Sequence, residues 1–226
     1  MSDGSIFVDE TGEQGFQSEY YALTLVLHDQ DSDVASFFSR YENRLRDVAL
    51  PDIPLHTQPL LNGNDAYRSL AVSQRQRLLN EFLFMVQRLP IRYATLLYKK
   101  SDFESIEKLG IRIRRDIVNV LFDHLEFFQG FDVVKIYYDG GQPLVTKALR
   151  GAVEYALSKQ AVLYRQGDPA AYRLAQTADF ICTIELTARK YEKHEETMTD
   201  KRFFGTYRSF KKNYLKQVRR KKLVAQ

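Results

Sequence analysis

Three aspartates stand where a carboxylate needs a reason. Asp9 closes a short apolar run over residues 5–9, Asp139 closes another over 133–138, and Asp179 lies between Ala178 and Phe180 on a stretch with helical spacing. An unpartnered carboxylate in apolar surroundings is costly, and clustered carboxylates repel one another unless a cation lies among them. Ligation by oxygen alone suits Mg²⁺ or Mn²⁺. Two such ions about 3.5–4 Å apart are a known solution for phosphodiester hydrolysis, one activating water and the other stabilising the leaving oxygen. Each Asp taken singly serves equally well as a turn or cap residue; the three together weaken that reading.

Other residues join them with less force. Successive strand residues face opposite ways, so Glu10 can share an ion with Asp9 only if the turn begins there, which Gly12 would allow. Gln176 and Asp179 are spaced i, i+3, and Thr183 is i+4 from Asp179, so the three share one helix face; Gln176 could orient the Asp or touch substrate. His56, between Pro54 and Pro59, can ligate, shuttle protons or satisfy backbone. Cys182, the single cysteine, sits among apolar residues and reads as core. No GxSxG or GxxxxGK[ST] motif is present. Asp9-Glu-Thr11 also lacks the second Asp that an aspartate-based phosphatase needs two residues after its nucleophile.

The elements that must carry these residues follow from periodicity. Residues 5–9 and 20–27 read as an antiparallel hairpin with the acids at its bend. Val34, Phe37, Phe38, Tyr41 and Leu45 mark a helix that ends before Pro51; a Pro-rich connection runs to residue 64, and a helix from Ser73 is closed by Pro90. A strand over 91–98 precedes a helical stretch from Ser101 or Asp102 to about 128, with Gly110 as a break. Then come a strand at 133–138, a helix at 142–158, a strand at 161–164 and a helix from Asp168-Pro169 to about 190. Helix crossovers demand parallel pairing and the hairpin demands an antiparallel part, so the fold class is α/β with a mixed sheet and helices on its faces. If the strands ending in Asp9 and Asp139 are parallel neighbours, both acids emerge at one sheet edge.

Composition sets the class. The chain has 226 residues, 44% hydrophobic and 27% charged, which excludes collagen-like and low-complexity readings. Nothing approaches a membrane span, the first residues lack the order of a signal peptide, and one cysteine cannot form an internal disulfide, so a cytoplasmic protein without membrane contact is expected. Ten of the 33 basic residues lie between Lys201 and Gln226 with no acid among them. Residues 1–200 are therefore read as the domain and 201–226 as a basic helical extension. Lys211, Lys212, Arg219 and Arg220 are its candidate phosphate-backbone contacts, with Phe203, Phe204, Tyr207, Phe210 and Tyr214 as stacking groups.

Phe7-Val-Asp9-Glu10-Thr11-Gly12, Leu55-His56, Ile136-Tyr-Tyr-Asp139 and Gln176-Thr-Ala-Asp179, in that order, resemble the prokaryotic family catalogued as domain of unknown function 3800. The resemblance implies a ribonuclease-H-like mixed five-stranded sheet, order 3-2-1-4-5 with strand 2 antiparallel, here with a helical insertion at about 31–90. It also implies a divalent-metal nuclease site and an association with mobile elements and phage defence. Position by position it points to Asp9, Glu10, His56, Asp139, Gln176 and Asp179; Thr11 stands where the family commonly has Ser. The ribonuclease H pattern adds an acid from a helix before the fourth strand, for which Asp116 and Asp123 are both available.

The expected function is a two-metal nuclease acting on RNA or DNA, with Asp9, Asp139 and Asp179 as ligands and Glu10 and His56 beside them. The alternative is a non-catalytic nucleic-acid-binding or protein-interaction module whose acids are caps and turns. Partners expected are nucleic acid and either a second protein or further copies of the chain.

Overall fold

The computed structural model describes residues 3–12, 18–138, 142–157, 161–164 and 172–223. β1 (Asp3–Thr11) and β2 (Tyr20–Asp29) form the antiparallel hairpin, with Asp9 opposite Thr24 and Glu10 opposite Leu23. Three helices follow, α1 (Ala35–Asp47), α2 (Thr57–Asn62) and α3 (Val72–Val86), before β3 (Ile91–Lys99) returns antiparallel to β2. α4 (Ile106–Asp123) and α5 (Leu125–Gln129) lead into β4 (Val133–Tyr137), which lies parallel to β1 with Phe7 beside Tyr137. α6 (Pro143–Leu157) crosses to β5 (Ala161–Tyr164), and the sheet order is β3-β2-β1-β4-β5. The mixed α/β sheet is the one expected; β1–β4 are described with their side chains and β5 by its backbone pairing to β4.

Alternation along β1 splits the core in two. Ile6 and Val8 join Leu23, Leu25 and Leu27 under α4 and α6, while Phe7 and Val26 face α1, α3 and α7 (Arg173–Lys193). Each large apolar side chain so buried contributes about 1.5–3 kcal/mol. Gly110 does not break α4. A Cβ there would lie 2.3 Å from Leu144 Cδ1, so the glycine lets α4 and α6 approach closely. The Pro-rich connection folds into α2, and the last long helix begins at Arg173; Asp168-Pro169 lies outside the described residues. Among the described residues no helix is long and apolar enough to cross a membrane.

The basic segment is a layer of the fold. α8 (Met198–Phe204) opens with a reciprocal cap, Thr197 N–H donating to Asp200 (2.8 Å) and Asp200 N–H to Thr197 Oγ1 (3.1 Å). α9 (Tyr207–Phe210) then runs through a π-turn (Lys211–Leu215) into α10 (Lys216–Arg219). The aromatic residues expected to stack on bases do not: Phe203, Phe204, Phe210 and Tyr214 are buried in the core shared with α7, and Tyr207 stacks on Tyr191. Their interval matches the buried face of the helix, which is why they alternate with lysines. Beyond α10, Leu223 N–H donates to Tyr93 O (2.8 Å) and Tyr93 N–H to Lys221 O (3.1 Å), covering the exposed edge of β3.

One buried acid holds this layer. Glu185 of α7 accepts from Arg219 (2.7 Å) and from the Tyr93 hydroxyl (2.7 Å), with Lys222 at 3.4 Å. Burial alone would raise its pKa, but these donors hold it below the usual carboxylate value. The stabilisation is therefore present above the unfolded pKa and lost as pH falls through the lower folded one. Arg219 keeps partial solvent contact, so Glu185→Ala should cost about 2 kcal/mol, at the low end for a broken buried pair. The difference in thermal midpoint from wild type should shrink as pH falls below about 4, near the carboxylate range.

Candidate functional site

Asp9 sits near the C-terminal end of β1 on the face covered by α7, two residues beyond Phe7. α7 carries Asp179 and Cys182 toward the same region. The Cys182 thiol donates to Ala22 O on β2 (3.6 Å), and burial first, then the Asp9 carboxylate, push its pKa far up, with Asp179 adding to the rise. Asp9 and Asp179 come from opposite ends of the chain, and both, with Glu10 from the other face of β1, raise the pKa of this one buried thiol.

Asp179 meets a loop as well as the sheet. Its Oδ2 accepts from the backbone N–H of Thr57 at 2.7 Å, at the start of α2. Burial raises the Asp179 pKa from 3.8 to about 6, against the lowering effect of that N–H, of His56 and of the Thr57 and Thr183 hydroxyls. Thr57 Oγ1 and Thr183 Oγ1 are buried beside the carboxylate, near enough to lower its pKa. The Asp179 carboxylate, the two hydroxyls and the imidazole of exposed His56 give the loop–helix junction a hard, oxygen-rich donor set. This set fits Mg²⁺ or Mn²⁺ by chemistry, yet among the described residues no three His, Cys, Asp or Glu side chains converge. Asp139, the third expected ligand, lies outside the described residues.

Gln176 is buried, and its Oε1 accepts from Leu55 N–H (3.1 Å) and from Arg173 Nη1 (3.1 Å). Arg173 in turn donates to Asp52 (2.6 Å) and stacks its guanidinium on Tyr41 (5.1 Å). Gln176 therefore anchors the 54–57 loop, where the sequence pointed to a substrate contact. The same loop is tied at His56 N–H, which donates to the Tyr67 hydroxyl (3.0 Å), itself donating to Pro54 O (2.8 Å). The backbone clamp fixes His56 next to Asp179 and leaves its ring at the surface.

One expectation fails on strand geometry. β1 continues through Thr11, so Glu10 points away from Asp9 into the α4–α6 side, where its Oε1 accepts from the Tyr138 hydroxyl (2.8 Å). It is not an acid of the Asp9 face. Of the two acids available on the helix before β4, Asp116 binds Arg112 (2.7 Å) and the Tyr98 hydroxyl (3.2 Å), and Asp123 is exposed at the end of α4. Sequence reasoning missed Thr57, Arg173 and Glu185; for Glu185 the signal was an acid amid apolar residues on the helix that already carries Asp179.

Lys211, Lys212 and Arg220 are exposed, together with Arg208 and Lys216, along a shallow groove floored by Leu215. Arg219 borders the groove but is paired to Glu185. Among the described residues nothing acidic lines it.

No family model matches the chain, that of the resemblance above included, and no curated protein matches it. Among solved structures it is similar to one described as the PCNA:RNase HII complex from Archaeoglobus fulgidus. The identity is 16% and the TM-score 0.42, over 87% of this chain and 79% of that one.

The raised pKa of Asp179 has a stability consequence with a definite sign. In metal-free buffer the folded chain holds its proton more tightly than the unfolded chain, so stability falls as pH rises from 3.8 to about 6 and then levels. Asp179→Asn keeps an acceptor for Thr57 N–H and removes the charge. Under chelator its thermal midpoint should exceed that of wild type at pH 7.5, and the gap should close by pH 4; equal midpoints at both values would contradict the assignment.

Proposed function

We propose that the chain is a divalent-metal-dependent nuclease, with Asp9, Asp139 and Asp179 as ligands and a phosphodiester of RNA or DNA as substrate. The observation that carries the reading is that Asp9, alternating with Phe7 along β1, and Asp179, on the helix α7 packed against that face, share one side of the sheet. The parallel pairing of β1 and β4 supports adding Asp139, which follows Tyr137 by two residues in sequence as Asp9 follows Phe7. Two ions held there would activate water and stabilise the leaving oxygen.

The remaining steps fall to this chain's own residues. The 54–57 loop, clamped by Gln176, Asp179 and Tyr67, holds the His56 backbone beside Asp179, from where its ring would pass a proton to the departing oxygen. The exposed cations Lys211, Lys212 and Arg220 attract the polyanion, while Arg219 spends its charge on Glu185 and contributes mainly by fixing the helix. A role in phage defence or mobile elements rests on the resemblance of the motifs alone.

One observation favours the non-catalytic alternative: Asp179 and Gln176 already serve as acceptors for the loop backbone. Cleavage separates the two. With Mn²⁺, wild type should cleave at least one of RNA, DNA or hybrid, and Asp139→Asn should lower that rate by at least ~100-fold, beyond what losing an outer-sphere partner costs. Binding that persists without cleavage in wild type would favour the alternative.

A further inference from the structure

The last helices present a surface of a single chemistry. Phe203, Phe204, Phe210 and Tyr214 are turned into the core, so the rings are withdrawn and the cations between them face outward. Arg208, Lys211, Lys212, Lys216 and Arg220 are exposed around a groove of about 600 Å³ floored by Leu215. Among the described residues neither an acid nor an exposed ring lines it. The groove is held from behind. Arg219 at its border is paired to buried Glu185 (2.7 Å), the Tyr214 hydroxyl donates to Asn80 Oδ1 of α3 (2.6 Å), and the Tyr207 and Phe210 rings stack on Tyr191 of α7. From Arg208 to Arg220 the row spans about 18 Å at helical rise. One strand of a duplex carries a charge every ~3.4 Å along the axis, so about five of its phosphates cover that span, which matches the exposed cations of the row.

We propose that this groove docks the phosphate backbone of a nucleic acid duplex and reads no bases. The inference rests on the nucleic-acid substrate of the reading above and narrows it to the double-stranded form. Sites for single strands combine charge with exposed rings on which bases stack, and here the rings are spent in the core. A duplex stacks its own bases and presents charge on its outside, one for about every 1.7 Å of axis with both strands counted. A helix that lies on a membrane needs its apolar side outward, whereas the apolar side of this one faces the core.

The test is anisotropy of labelled 20-base-pair DNA and RNA duplexes and of their separate strands, over a series of salt concentrations in excess chelator. Chelator keeps binding apart from cleavage, so a chain that binds as described and cuts nothing counts against the nuclease reading and not against this one. Wild type should bind a duplex of at least one kind more tightly than its strands, and two unrelated sequences equally. The logarithm of affinity should fall against that of salt with a slope between about −2.7 and −4.5, as three to five phosphate contacts require. The triple variant Lys211→Ala, Lys212→Ala, Arg220→Ala should weaken duplex binding by at least about 10-fold and flatten the slope by about 2.7. Removing equal charge from the helices on the other face of the sheet, by Lys108→Ala, Lys147→Ala, Arg150→Ala, should change neither. Polyglutamate at matched charge should displace the duplex at least about 10-fold less readily than unlabelled duplex does, since its charges lack the fixed spacing. Single strands bound as tightly as duplex, no binding of either, an unchanged slope in the groove variant, an equal loss in the other triple variant, or ready displacement by polyglutamate would each overturn the proposal.

Discussion

A helix buried on nearly all sides must find a partner for every polar group it carries, and α7 carries Arg173, Gln176, Asp179, Thr183 and Glu185. Leaving such groups unpaired costs more than their bonds return, so the rest of the molecule is arranged to meet them. Gln176 and Asp179 draw in the loop at 54–57, Arg173 reaches Asp52, and Glu185 fastens the basic helix and the strand edge behind it. What these bonds leave over is equally informative. The Asp179 carboxylate keeps a raised pKa in spite of the donors around it, and it lies on the side of the sheet that carries Asp9.

The same constraint organises the surface. Because the aromatic side chains between Phe203 and Tyr214 are committed to the core, the intervening lysines and arginines are forced outward onto one exposed face. The π-turn within that helix carries Lys211 and Lys212 at the groove, in keeping with the frequent use of such turns at functional positions.

Much of this was legible in the sequence where periodicity was strong. The hairpin, the α/β alternation and the parallel neighbours β1 and β4 follow from apolar spacing and from the need for crossover helices. Asp9 and Asp179 stood out because each sat against its local pattern, whereas His56 drew notice through the motif resemblance. Glu10 could not be assigned without knowing where β1 ends; a strand two residues longer than the apolar run sends it to the other face. Gln176 and Glu185 turned on burial in three dimensions, since a helical interval gives a shared face but not what covers it. The basic segment misled for a related reason, as an amphipathic helix alternating aromatics and lysines looks the same whether its rings meet bases or a core.

The measurement that bears most directly on the central claim is calorimetric titration of Mn²⁺ into wild type, Asp9→Asn and Asp179→Asn without nucleic acid. A shared carboxylate site predicts saturable binding in wild type that weakens sharply in both variants, with proton release near pH 6 as Asp179 gives up its proton to the cation. Binding that survives in both variants, or no binding in wild type at any accessible concentration, would contradict a carboxylate metal site formed by Asp9 and Asp179.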